Sequence, residues 1–104
     1  MGPHIVTADE VPDPNSNPLE ISTRANGVYK QRTTTDTIIH SIPTLLEFLT
    51  QTVTLQPGDP MSSGTCGGTG MGRTPQEFMH PGDIVTVGVT GVGYLSTPLE
   101  AGWE

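Results

Sequence analysis

A single cysteine, Cys66, among 104 residues leaves no partner for an internal disulfide. Nor does any run approach the roughly 20 consecutive apolar residues that a bilayer-crossing helix needs. The opening residues lack the basic segment and apolar core of a secretory signal, so the sequence predicts a protein of the reducing cytoplasm. Basic side chains are scarce: four Lys and Arg stand against eleven Asp and Glu, for a formal net charge of −7. That balance removes the broad positive footprint with which proteins hold DNA, RNA or an anionic membrane surface. Apolar bulk is thin as well, with Ile, Leu, Val and Phe at 23 of the 104 residues, close to the roughly 20% below which a charged chain stays disordered. One small core is the ceiling, and the chain is too short for two.

What is abundant is turn and strand chemistry, with 13 Gly, 10 Pro and 16 Thr, which excludes a helix bundle. Residues 1–18, with Pro3, Pro12, Pro14 and Pro18, predict an irregular lead-in. Leu19, Ile21, Thr23 and Ala25 alternate with Glu20, Ser22 and Arg24, the period-two pattern of a half-buried strand. Asn26-Gly27 supplies a hairpin turn, making Val28 to Arg32 the return strand. Thr33 to Ile39 is β-branched and reads as extended. Ile42, Leu45, Leu46 and Leu49 fall on one helical face, and Pro43 suits a first turn, predicting one helix over Pro43 to Gln51. A similar phrase occurs twice, Leu55-Gln56-Pro57-Gly58-Asp59 and Met79-His80-Pro81-Gly82-Asp83, each a Pro-Gly turn leading towards a candidate strand. Ile84 to Val89 and Tyr94 to Ser96 are the last strands. The fold class expected is α+β, rich in β structure, built of hairpins and Pro-Gly turns with one well-defined helix.

The stretch from Ser63 to Thr74 is dense in glycine, which frees backbone N–H groups to face an anion or bring a ligand close. It also reads as a plain flexible loop. Gly67 to Thr74 nearly matches a phosphate-binding P-loop, with Arg73 where that motif needs Lys, but Pro75 and the β-rich remainder leave little room for the helix the motif requires. Cys66 has no sequence partner that would make it a nucleophile and reads as a small packed thiol. His4, His40 and His80 are too far apart for a local metal motif. Asp9, Glu10 and Asp13 read as a solvated turn-forming cluster, with a hard-cation site as the alternative.

The order of these landmarks resembles the C-terminal half of the fumarylacetoacetate hydrolase family along nearly the whole chain. Gly2-Pro3, Ile5-Val6-Thr7 and Asp9-Glu10-Val11-Pro12-Asp13-Pro14 resemble the opening of that half. Asn26-Gly27 with Gln31 is similar to its hairpin, and Thr35-Asp36 with Ile38 and Ser41-Ile42-Pro43 to the segment before its helix. Leu55, Pro57-Gly58-Asp59, Ser63-Gly64-Thr65, Pro81-Gly82-Asp83 and Gly91-Val92-Gly93 follow in the family's order.

The resemblance implies a Mg²⁺- or Mn²⁺-dependent enzyme acting on a small β-diketo or oxo acid by C–C bond hydrolysis, decarboxylation, isomerisation or hydration. It also implies a homo-oligomer, in keeping with homodimeric relatives. Thr65, with Gly64 before it, stands at the position that binds a substrate carboxylate. The family's acidic metal ligands, its Lys and its His-Glu pair precede the Gly-Pro opening, so the resemblance assigns this chain no catalytic residue, no metal ligand and no cofactor of its own. The isolated chain is expected to be inactive. A non-catalytic binding or structural module that keeps part of the scaffold is the alternative, and a truncated reading of a longer gene is a third. Cys66 replaces the family's commoner Pro, which restores a backbone N–H to the loop.

Overall fold

A computed structural model describes residues 2–11, 13, 14 and 16–102. Four strands make one antiparallel sheet: β1 (Glu20–Ala25), β2 (Val28–Thr34), β3 (Ile84–Val89) and β4 (Gly93–Pro98), in the order β2-β1-β3-β4. The helix α1 spans Ile42–Thr50, with the Ser41 hydroxyl accepting from the Thr44 N–H at 3.3 Å as its cap and Pro43 in the first turn. The β-rich α+β expectation holds. Among the described residues no helix is long and apolar enough to cross a membrane.

Local chemistry explains the turns. Asn26 and Gly27 carry φ of 50° and 80°, the left-handed pair of a two-residue hairpin turn. The two repeated phrases fold identically. Gly58 and Gly82 have φ of 94° and 96°, as the third position of a Pro-Gly type II turn demands. In each, the closing Asp accepts at 2.8 Å from the N–H three residues earlier, Asp59 from Gln56 and Asp83 from His80. Only the second turn delivers a strand, β3; no strand follows Asp59 before Gly70. Asp83 also accepts from the Asn26 side-chain amide at 3.0 Å, while Asn26 Oδ1 accepts from the Ile84 N–H at 2.9 Å. The hairpin tip and the start of β3 are thereby clamped together.

Several boundaries differ from the pattern. β2 runs two residues beyond Arg32, and Thr35–Thr37 then tightens into a 3₁₀ turn in place of an extended segment. β4 extends from Tyr94–Ser96 to Gly93–Pro98 because β3 pairs with it from end to end. Among the described residues of 2–18 there is no strand or helix, as expected; Pro12 lies outside them.

Burial departs from the alternation at one pair of neighbours, Ile21 and Ser22. The pairing places Ile21, Thr23, Ala25, Val85, Val87, Val89 and Leu95 on one face and Ser22, Arg24, Tyr29, Arg32 and Tyr94 on the other. Yet Ser22 is 6% exposed and Ile21 37%, and no apolar side chain among the described residues is fully buried. Ser22 is small and pairs with Arg32 and Gly88, and the Tyr94 ring leans over Gly88 so closely that a Cβ there would sit 2.3 Å from it. The apolar face is only partly covered: Thr23, Ala25, Val85, Val89 and Leu95 are half-buried, and Ile21 and Val87 are exposed. The chain exposes 8047 Å², where a compact monomer of its size exposes about 5,600 Å². Its radius of gyration is 15.7 Å, against about 13 Å for a compact chain of this length.

This surface predicts behaviour. The 104-residue chain on its own should associate or unfold at modest temperature. Sedimentation and calorimetry check it: a monomer that melts cooperatively above about 65 °C, the upper end for ordinary domains, contradicts it.

Candidate functional site

The loop carrying Thr65 and the glycines is folded onto the outer edge of β2, and a β-bulge makes this possible. Thr23 pairs with Gln31 but Arg24 with Tyr29, so Lys30 is the extra residue of β2. In a regular strand consecutive side chains point to opposite faces. A bulge bends the strand and redirects them, and here both Lys30 and Gln31 meet the same loop.

Lys30 contributes its carbonyl and its ammonium group. Arg73 Nη2 donates to the Lys30 carbonyl at 2.6 Å, and Arg73 Nε donates to the Gly68 carbonyl at 3.1 Å. Lys30 Nζ donates to both oxygens of Glu77 at 3.0 and 3.2 Å, and Arg73 Nε stands 3.3 Å from the same carboxylate. The Lys30 ammonium, by hydrogen bond and charge, holds the Glu77 carboxyl below the usual glutamate range. The loop lies so close that side chains are excluded at two points. A Cβ on Gly68, whose φ is 104°, would fall 2.3 Å from the Lys30 carbonyl oxygen, and one on Gly70 would fall 1.8 Å from that of Glu77.

Gln31 reaches the other end of the loop. Its amide nitrogen lies 2.8 Å from Thr65 Oγ1, 3.0 Å from the Cys66 carbonyl and 3.7 Å from Cys66 Sγ. Gly64, with φ of 97°, adopts the left-handed backbone that glycine takes without strain, and the following Thr65 is exposed. Between loop and sheet runs a groove of about 590 Å³, walled by Ala25, Val28, Val85, Met71 and Phe78, with Gln31 on its lining.

The remaining candidates separate. The acidic cluster is engaged in its own turns: Thr7 donates to Asp9 and Ser16 to Asp13. His4 Nε2 meets the Val92 carbonyl, beside Ile21, Val89 and Leu95, and not at the Thr65 loop. Among the described residues no three His, Cys, Asp or Glu side chains come together, so they do not fit the carboxylate-rich set that a hard divalent ion takes. Cys66 is half-buried beside an amide, not an imidazole. After Gly67 to Thr74, residues Gly70–Gly72 form a 3₁₀ turn and no helix follows among the described residues, so the loop lacks the phosphate-loop context. Lys30, Arg73 and Glu77 were not among the expected site residues; the Arg at the P-loop Lys position was their one trace in the sequence.

Residues 1–100 match the family described as fumarylacetoacetate (FAA) hydrolase, C-terminal. The chain belongs to this family. An uncharacterised protein of Staphylococcus haemolyticus is 40% identical over 97 residues, covering 93% of this chain and 32% of its own length. Among solved structures, a fumarylacetoacetate hydrolase from psychrophilic Exiguobacterium antarcticum superposes with a TM-score of 0.91 at 33% identity, over 97% of this chain and 35% of that one. A 5-carboxymethyl-2-hydroxymuconate delta-isomerase from Mycobacterium smegmatis gives 0.81 at 33%, over 99% and 36%. A maleylpyruvate hydrolase from Sphingobium sp. SYK-6, in complex with manganese(II) and pyruvate, gives 0.85 at 28%, over 98% and 35%. The chain thus spans about a third of the length of the relatives it matches.

The Glu77 tether predicts an acid-labile loop. Because the folded carboxyl titrates below its unfolded value, the tether is complete above the ordinary glutamate range and is lost as pH falls through the lowered folded value. Hydrogen exchange at the Arg73 amide, which donates to the Gly70 carbonyl, should be unchanged between about pH 7 and 5 after correction for intrinsic rates. Glu77→Gln should accelerate it at neutral pH.

Proposed function

We propose that this chain is the C-terminal, carboxylate-binding part of a fumarylacetoacetate hydrolase family enzyme acting on a small oxo acid. Thr65, presented by Gly64, is its principal contact with substrate. The observation that carries this reading is the exposed Thr65 hydroxyl directly after Gly64 with its positive φ, within a loop braced against the sheet by Arg73, Lys30 and Gln31. A hydroxyl and adjacent main-chain N–H groups suit a carboxylate. Substrates of this kind are in keeping with relatives described as a maleylpyruvate hydrolase and a hydroxymuconate isomerase. The residues of this chain bind and orient; a divalent ion, Mg²⁺ or Mn²⁺, takes its ligands from the family domain beyond them. In this reading the partly covered apolar face packs within the complete domain and its homo-oligomer, in the cytoplasm.

Two outcomes test it. In a chain carrying the whole family domain, Thr65→Ala should lower kcat/KM towards an acylpyruvate by about 10- to 150-fold, the worth of a hydrogen bond to a charged group. Thr69→Ala, in the same loop, should cost less. Wild-type kcat/KM in Thr65→Ala together with a loss in Thr69→Ala overturns the reading. The 104-residue chain alone should bind Mn²⁺ weakly in calorimetry and show no turnover above a metal-only blank, since the carboxylate count of a hard-cation site is missing.

A further inference from the structure

We infer that Gln31 is a positioning residue that fixes the direction in which the Thr65 hydroxyl donates its proton. The inference rests on Thr65 being the carboxylate contact. The geometry supplies the rest. The Gln31 amide nitrogen carries two hydrogens and faces two oxygens, the Cys66 carbonyl at 3.0 Å and Thr65 Oγ1 at 2.8 Å. The carbonyl can only accept, so it fixes the amide with its nitrogen towards the loop. The second hydrogen then points at Thr65 Oγ1, which must accept. A threonine hydroxyl has one proton to give and two lone pairs. With a lone pair taken by Gln31, and the Thr65 hydroxyl donating to no group among the described residues, its proton is free to point away from the Gln31 amide towards an acceptor in the site.

This assigns a chemical polarity to the hydroxyl before substrate arrives. A free hydroxyl rotates among donors and acceptors, and orienting it is part of the cost of binding. Gln31 is well suited to the task because it is held by pairing with Thr23 in the sheet, directly after the bulge residue Lys30. A rigid strand thus sets a side chain on an otherwise exposed loop. The same amide ties Cys66 through its backbone, so the contact does not depend on which residue follows Thr65.

Two near-isosteric variants separate polarity from bracing. Gln31→Met keeps length but offers no donor. Gln31→Glu keeps shape but offers an acceptor, which draws the Thr65 proton back towards β2. In a chain carrying the whole family domain, with folding checked by circular dichroism, Gln31→Met should raise KM for an acylpyruvate about 3- to 10-fold at unchanged kcat, the range of one neutral hydrogen bond. Gln31→Glu should raise it further. In a Thr65→Val background neither should add to the effect already present. An unchanged KM in Gln31→Met, or an effect that multiplies fully with Thr65→Val, overturns the inference while leaving the Thr65 reading intact. If Thr65→Val itself leaves KM unchanged, the carboxylate reading fails and the inference with it. A measurement free of any change at position 31 is the NMR signal of the Gln31 side-chain amide. Thr65→Val should shift one of its two proton resonances, and identical resonances would overturn the contact on which the inference stands.

Discussion

The extra residue in β2 is the feature on which the site depends. With regular pairing, Lys30 and Gln31 would address opposite faces of the sheet, and a loop lying on the strand edge could meet only one of them. The bulge lets the Lys30 carbonyl and ammonium hold Arg73 and Glu77 while Gln31 holds Thr65 and Cys66. It also occupies the edge of the sheet: the outward carbonyl of Lys30 is satisfied by a guanidinium, so this part of the edge is not open for another strand. The tight approach of Gly68 and Gly70 follows from the same arrangement.

The loop is held by hydrogen bonds and charges because little apolar burial is available to hold it. No hydrophobic side chain among the described residues is fully buried, and surface ion pairs of the Lys30–Glu77–Arg73 kind contribute little each. Their number and their sharing of one carboxylate give the loop its definition. The Val- and Ile-bearing face of the sheet is only partly covered, with Ile21 and Val87 exposed, while on the other face Ser22 is hidden beside Gly88 and the Tyr94 ring. The chain spans about a third of the length of the relatives it matches. The loop presents a braced Thr65 hydroxyl, and the described residues bring no three His, Cys, Asp or Glu side chains together.

Much was legible in the sequence because short-range chemistry wrote it. Asn26-Gly27 and the two Pro-Gly-Asp phrases specify turns through the backbone angles glycine and asparagine tolerate, and each phrase closed on its own Asp carboxylate, Asp59 in one and Asp83 in the other. Leucine spacing and Pro43 placed the helix within one residue at each end. The family was legible in the order of weak motifs, each unspecific alone, and Gln31 and Thr65 both stood among them. The role of neither could be read from spacing, since 34 positions separate them.

The sequence by itself determined the turns, the helix, the strands of the sheet, and the acidic, cysteine-poor character of the chain, because these depend on residues within a few positions of each other or on composition. Only the tertiary structure decided the bulge at Lys30, the meeting of Gln31 with Thr65, and the Arg73–Glu77–Lys30 brace. It alone decided, too, that Ser22 is buried while Ile21 is not. Each of these depends on where a distant segment lies against a strand edge or face, and period-two alternation records only which side a residue takes, not whether anything covers that side.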